Sequence, residues 1–395
     1  MQSGKMIKRE LKSPERSFFL FGPRQTGKTT WLRSLDLPRA WMVNLLLNDT
    51  YYRYLKQPSQ FRLEAEEKIR GGTQWIVLDE VQRIPELLNE VHHLIEASEV
   101  RFILSGSSAR KLKRNGTNLL GGRLLLRHLY PFSMREYEMM GGEVTLDLEH
   151  TIQWGTLPPL LGLAQRDAAD TLRAYVDVYI REEIQMEALV RNLGGFTRFL
   201  DLSAAYCGEI VNFSSLAKEC GLPHRTVQGY FEVLEDTLIA YRLPAWRESP
   251  TKRMVCHPKL YLFDNGVTNA LCNRLSGPLD PVTRGRLFEQ FFIQETLRRL
   301  DYQGSSTRLY YWRTNNGAEV DLILERAGKP ILAVEFKSRT EVDRSDLSGL
   351  RSFHEDYPTV PCLLVSTAIE PWTLDFVQVL PWKAYLKFLE NRLTH

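Results

Sequence analysis

The sequence predicts an α/β protein in three consecutive parts, and three stretches predict it. A short apolar strand runs into a glycine-rich loop and a helix at "FFLFGPRQTGKTTWL". A second apolar strand, "WIVLDE", ends in two acids, and late in the chain "EVDLILERAGKPILAVEFK" reads as a hairpin carrying carboxylates and a lysine. Strands alternating with segments of helical period are the pattern of α/β sheets. The reading places one α/β unit over residues 1–165, with a small helical part continuing to about 200. A helix-rich unit follows over 201–257 and a second α/β unit over 258–395. A chain of 395 residues is long enough for each part to bury its own core.

The first stretch has the spacing G-x-x-x-x-G-K-T from Gly22 to Thr29, preceded by the apolar strand at Ser17–Phe21. Glycines permit a loop whose backbone N–H groups surround phosphates, and the helix N-terminus behind it adds partial positive charge. Gly22, Pro23, Arg24, Gln25, Thr26, Gly27, Lys28, Thr29 and Thr30 are therefore the candidate nucleotide-binding residues. Lys28 is placed to reach the β- and γ-phosphates and Thr29 to put its hydroxyl on Mg²⁺. The second stretch supplies the acid such a site needs. Asp79, at the end of the strand Trp75–Leu78, is the expected partner of Mg²⁺, and Glu80 the base that polarises the attacking water. A third strand, "RFILSGSS", ends in Ser105, Ser107 and Ser108, of which Ser107 is carried as the sensor of the γ-phosphate; ordinary turn chemistry is the alternative. Arg123, after two glycines, is a candidate arginine finger acting on ATP, with a structural or phosphate-binding role as the alternative.

These motifs carry a resemblance. "GPRQTGKTTWL", "IVLDEVQRIPEL", "ILSGSSARKL", "GGRLLLRHLYPFSMREY", "KLYLFDNGVTNAL" and "YYWRTNNGAEVDLIL" run in one order along nearly the whole chain. With them the chain resembles the prokaryotic AAA-type ATPases of the AAA_14 family that carry a C-terminal DUF4143 domain. The resemblance implies an ASCE-type P-loop core, with the catalytic strand set between the phosphate-loop strand and its neighbour. It also implies oligomeric or DNA-linked work, with ATP and Mg²⁺ at the first site.

The middle part reads as a winged helix. "NFSSLAKECG" has the pattern of a first helix with Ser214 as its N-cap, and "HRTVQGYFEVLED" that of a second. In the second helix Val227, Tyr230, Phe231 and Leu234 share the apolar face, which leaves His224, Arg225, Thr226 and Gln228 at the end that meets a major groove. Arg247, Lys252 and Arg253 stand at the tip of the β-hairpin that follows. Arg225, Thr226, Gln228, Lys252 and Arg253 are the candidate DNA contacts, made mainly to the backbone; packing against protein is the alternative use of the same fold.

The last part has the order of a PD-(D/E)XK nuclease, in which two hairpin strands supply an Asp and then E-x-K. Residues i and i+2 of a strand share a side, so Glu335 and Lys337 face together, and Asp321 precedes Glu335 on the neighbouring strand. Glu289, on an upstream amphipathic helix, adds a third carboxylate. Asp321 and Glu335 are the expected ligands of a second Mg²⁺ or Mn²⁺, with Lys337 orienting water. Gln294 and Arg313 are weaker candidates for phosphate contacts. An inactive, ion-paired remnant of that fold is the alternative.

Composition narrows the function classes. With 43% hydrophobic and 25% charged residues and no low-complexity tract, the chain is neither disordered nor fibrous. A net charge of +3 points to no partner, but Arg101, Arg110, Lys111, Lys113, Arg114, Arg123, Arg127 and Arg135 stand in one stretch without an acid. That stretch is a candidate anion-binding surface or a solvated basic loop. Five scattered cysteines suit reduced thiols, and neither a signal peptide nor a membrane span is legible, so the expected location is cytoplasmic. The favoured reading is an ATPase coupled to binding, and to cleavage or remodelling, of branched DNA, working alone or as a homo-oligomer. Its rivals are a nucleotide-dependent regulatory or defence switch with an inactive nuclease-like domain, and an ATP-driven protein-interaction scaffold.

Overall fold

The computed structural model describes residues 7–108, 110, 122–141, 147–181, 192–247 and 257–393. Its first sheet has five parallel strands, β1 (Phe18–Phe21), β2 (Ala40–Asn44), β3 (Trp75–Asp79), β4 (Arg101–Gly106) and β5 (Leu125–His128), in the order β2-β3-β4-β1-β5. The inner strands are apolar through their middles, as in Trp75–Leu78 and Phe102–Leu104, because both faces of a parallel sheet are covered. Phe19, Phe21, Ile76, Leu78, Phe102 and Leu104 pack under the helices Pro58–Arg70 and Leu87–Ala97. Phe18, Leu20, Trp75, Val77 and Ile103 face Trp31 and Leu32 of the helix Lys28–Ser34. The alternation along each strand thus decides which helix it meets.

One expectation is corrected here. The strand beside the phosphate-loop strand β1 is β4, and the acid-bearing strand β3 lies beyond it. In register, Phe18 pairs with Ile103, and Val77 pairs with Ile103 from the other side. Asp79 therefore reaches the loop across the end of β4, where Ser105 stands.

In the middle part the helices Phe213–Cys220 and His224–Asp236 are joined by a turn through Gly221, which takes the left-handed conformation (φ 66°) that closes the first helix. Asn212, not Ser214, caps that helix, because the helix begins two residues earlier than a Ser214 cap would give and the Asn212 side chain accepts from the backbone N–H groups of Ser214 and Ser215. Val227, Tyr230, Phe231 and Leu234 are buried as their spacing requires. Strands β6 (Ala240–Leu243) and β7 (Lys259–Leu262) then pair antiparallel.

The last part is a mixed sheet of six strands, β8 (Arg308–Arg313), β9 (Glu319–Arg326), β10 (Lys329–Lys337), β11 (Cys362–Ser366), β12 (Trp372–Leu374) and β13 (Val377–Pro381), in the order β12-β13-β11-β10-β9-β8. A two-residue turn, Ala327–Gly328, joins β9 to β10 with both residues at positive φ, the twist that fits a tight hairpin. Opposite β8 the register of β9 slips: Tyr310 pairs with Ile323 but Trp312 with Val320. The extra residue is a bulge beside Asp321, a device that re-aims a side chain. The long helix Pro281–Tyr302 lies on one face of the sheet and Ser348–Asp356 on the other.

That long helix also ties the last part to the first. Near its end Arg298 donates to Phe132 O, Glu295 accepts from Met134 N, and Tyr302 accepts from Tyr130 N. Asp301 lies against His128 at the end of β5.

Candidate functional site

The phosphate loop fills residues 22–27 between β1 and the helix Lys28–Ser34. It can bend there because Gly27 adopts a left-handed conformation (φ 91°). Gly22 is required for a different reason, since a Cβ would lie 2.2 Å from Leu129 O. Thr26 donates to Pro23 O, closing the loop on itself. Lys28 is buried at 6% exposure, and its ammonium donates to Gly22 O (2.7 Å) and Pro23 O (3.0 Å). Burial pushes its pKa down to about 8, against an opposing pull from Glu80 and Asp79. Thr30 is exposed on the first helical turn.

The acid-bearing edge lies directly against this loop. Thr29 donates to Asp79 Oδ2 at 2.8 Å, and Ser105 donates to the other oxygen of the same carboxylate. Asp79 is thus held by two hydroxyls from two different elements. Glu80 is buried in the left-handed region (φ 64°), a costly conformation for a residue with a side chain, and it receives the Gln82 amide at 2.5 Å. The same amide of Gln82 donates to Ser107 (3.1 Å), so Ser107 bonds to Gln82 while Ser105 bonds to Asp79. Ser108 is buried and accepts from Arg110 N.

Two supports of the loop come from segments where the sequence gives little signal. Arg9 donates to Thr26 O, Tyr130 O and Glu136, fastening the loop to the chain after β5. Tyr175, at the start of the π-helical segment Tyr175–Arg181, donates to Arg24 O, and the Arg24 guanidinium lies over the Tyr179 ring. Gln82 was legible in principle, as a polar residue two positions after the acid pair.

Arg123 lies at the opposite edge of the sheet, just before β5 begins, and pairs with Glu96 on the surface at 2.6 Å. Among the described residues it forms no hydrogen bond or ion pair with the phosphate loop. In the basic stretch, Lys111, Lys113 and Arg114 lie outside the described residues. Arg101 covers the Trp75 ring, and Arg135 pairs with Glu10 and Glu390.

The structure exposes His224, Arg225 and Gln228 at the start of the helix His224–Asp236, with Thr226 half-buried. Lys252 and Arg253 lie outside the described residues.

The late carboxylates do come together, but around a residue that the sequence reading passed over. Lys259, at the start of β7 and only 3% exposed, points its ammonium at Glu319 (2.6 Å), Glu289 (2.9 Å) and Asp321 (3.6 Å). Tyr261 also donates to Glu289. Asp321 Oδ2 accepts from Phe336 N at 2.9 Å, and Lys337 donates to Glu335 at 2.6 Å. Burial and the Asp321 charge push the Glu289 carboxyl up to about 7 and the Glu335 carboxyl up to about 8. Burial alone would depress Lys259, but Glu289, Asp321 and Glu319 lift it well above the ordinary lysine range.

This donor set does not fit a divalent cation. An ammonium already stands among the carboxylates, and among the described residues no group of three His, Cys, Asp or Glu is arranged to hold a metal. Asp321 and Glu335, the expected metal ligands, stand instead beside the ammonium groups of Lys259 and Lys337. Gln294 is likewise not available to phosphate, because its buried amide donates to Leu262 O. Arg313 is exposed and pairs with Glu319. The signal for Lys259 was present in "KLYLF", since a lysine opening an apolar buried strand needs acidic partners.

The first site does fit Mg²⁺ and a triphosphate. Among the described residues Lys28 is a buried cation whose hydrogen bonds go to backbone carbonyls, and Thr29 and Asp79 form a hard-oxygen pair beside it. Residues 14–138 match the AAA domain. An AAA domain is present in this chain. An ATPase with such a domain would use ATP and Mg²⁺. Residues 145–277 and 284–385 match two domains of unknown function, DUF8612 and DUF4143.

An uncharacterized protein of Mycobacterium tuberculosis is 26% identical over 337 residues, covering 84% of this chain and 73% of the relative. An uncharacterized protein of Haemophilus influenzae is 20% identical over 380 residues, covering 91% of each. Among solved structures, the ORC1 protein of Aeropyrum pernix in complex with DNA is similar at 16% identity, over 66% of this chain and 87% of that chain, with a TM-score of 0.26. The replication initiator DnaA bound to AMPPCP and single-stranded DNA is similar at 15% identity, over 57% and 83%, with a TM-score of 0.27. Among the described residues no helix is long and apolar enough to cross a membrane.

Proposed function

We propose that the protein hydrolyses ATP at the AAA domain and uses the cycle to move its middle and C-terminal parts on DNA. The observation that carries this reading is the meeting of Thr29, Asp79 and Ser105 at one sheet edge, next to a buried lysine that bonds to backbone carbonyls. Lys28 and the loop residues Gly22–Thr30 hold the phosphates, and Thr29 and Asp79 hold Mg²⁺. Bound there, Mg²⁺ neutralises charge on the β- and γ-phosphates. Glu80 takes the proton of the attacking water and Gln82 orients its carboxylate. Ser107 reports on the γ-phosphate through Gln82, and Arg123, at the far edge, completes the site of a neighbouring copy.

Two contacts carry the motion outward. Arg9 joins Thr26 O to Tyr130 O, and Tyr130 N donates to Tyr302 at the end of the long helix. Tyr175 donates to Arg24 O and packs its ring against Phe263, the residue after β7. A change of loop shape on hydrolysis therefore pulls on both neighbours. In this reading the middle part is a winged helix that grips DNA through Arg225, Thr226 and Gln228, with Lys252 and Arg253 at the hairpin tip, and the last part has a nuclease-like fold. A second reading, the nucleotide-dependent switch with a non-cutting C-terminal domain, is favoured by Lys259 among the carboxylates.

The test is ATP turnover at low salt, alone and with linear, forked and four-way DNA. Stimulation by any of them supports the DNA-coupled reading, and a rate unchanged by all three removes it. Turnover lost in Lys28→Ala assigns the activity to this site.

A further inference from the structure

We propose that Lys259 is the resident cation of the C-terminal carboxylate cluster, standing where a divalent ion would, so that the cluster is a charge-locked joint and not a cleavage centre. The inference is independent of the ATPase reading. Lys259 belongs to β7, which pairs with β6 of the middle part and lies within the stretch matching DUF8612, whereas Glu289, Glu319, Asp321 and Glu335 lie within the stretch matching DUF4143. One segment thus inserts its ammonium into the acidic pocket of the next.

The geometry leaves little for a metal. The ammonium has Glu289 and Glu319 within 3 Å and Asp321 at 3.6 Å, on carboxylates that come from a helix and from the bulged strand β9. Glu289 is held further by Tyr261, Asp321 by Phe336 N, and Glu335 by Lys337. Arg313 pairs with the outer oxygen of Glu319. Among the described residues of the cluster, Glu335 Oε2 is the buried carboxylate oxygen without a hydrogen-bond partner. A divalent ion entering beside Asp321 would lie within a few ångströms of an ammonium, and like charges at that distance repel strongly in a buried site. An ammonium cannot supply what a metal supplies in such a fold, since it generates no metal-bound hydroxide. Its three N–H groups fit the structural task instead, each able to donate to a different carboxylate.

The inference predicts a gain of function on removing the lysine. Mn²⁺ binding is measured on the full-length, nucleotide-free protein by calorimetry and by electron paramagnetic resonance. Wild type should show no Mn²⁺ uptake that depends on Asp321 at concentrations up to about 1 mM, the weak end of useful protein sites. Lys259→Met should gain one site, about tenfold or more tighter than anything Asp321-dependent in wild type, and adding Asp321→Asn should remove it. Wild-type binding that Asp321→Asn abolishes would overturn the proposal, as would a folded Lys259→Met that gains nothing. If Lys259→Met does not fold, the comparison of wild type with Asp321→Asn decides by itself. DNA nicking by wild type with Mn²⁺ that Asp321→Asn stops would count against it in the same way.

Discussion

Two buried lysines in this protein sit in opposite electrostatic company. Lys28 bonds to the carbonyls of Gly22 and Pro23, and its pKa is pushed down to about 8 by burial. Lys259, buried to the same degree, is surrounded by Glu289, Glu319 and Asp321, and its pKa is pushed up. A buried cation without a directly bonded acid is costly until an anion arrives, which makes it a binding residue. A buried cation already matched by acids has its need met from within, and removing it leaves the acids stranded. The contrast separates a site kept open for a ligand from one that the fold has filled.

The sharpest way to break the contrast is to remove each lysine in turn. Lys28→Ala should lower ATP turnover by about 100-fold or more while circular dichroism and unfolding stay near wild type. Retained turnover would mean the loop is misassigned. Glu80→Gln should still bind ATP, with hydrolysis slowed by roughly 100-fold if the carboxylate is the base. Single-turnover kinetics separates that from lost binding. Lys259→Met should do the reverse of Lys28→Ala. It should destabilise the folded chain by about 3–5 kcal/mol, because three carboxylates lose their counter-charge, yet leave turnover per folded molecule unchanged. Denaturant unfolding beside ATPase rates reads both effects.

Smaller effects sharpen the same comparison. The folded-state pKa of Lys28, about 8, lies below its ordinary 10.5. Between those values the unfolded chain holds more protons, so this group's contribution to stability rises with pH there. A bound triphosphate favours the charged lysine, so nucleotide binding should take up a proton near pH 8 and less at neutral pH. Calorimetry in buffers of different ionisation enthalpy measures that uptake, and Lys28→Arg should abolish it. Glu289 and Glu335 are shifted upward, to about 7 and about 8, from an ordinary 4.5. Their contribution is fully present below about pH 4.5 and is lost as pH rises through the folded values, the opposite trend over a lower window. The smallest expected effect is Arg225→Ala, which should weaken binding to all DNA sequences alike and lower the salt slope by about 1.

Much of the first site was legible because its chemistry is local. The loop from Gly22 to Thr29 is one contiguous stretch, and its spacing sets where the backbone, Lys28 and Thr29 stand. Asp79 was legible too, as the acid ending a strand whose apolar run needs two covered faces. The order of the strands was not, and β4 with Ser105 came between them. Arg9 escaped notice altogether, because nothing in a charged N-terminal stretch says which arginine folds back onto a loop carbonyl.

For the last part the sequence determined less. It set the hairpin, through the short turn at Ala327–Gly328, and it put Glu335 and Lys337 on one side of a strand by simple alternation. It could not say which cation the acids would meet. That was decided in three dimensions, when the pairing of β7 with β6 carried Lys259 against a bulge in β9. Spacing along a chain fixes geometry only within one element or one turn. Charges from separate elements find one another through packing, and there the protein supplied its own positive charge.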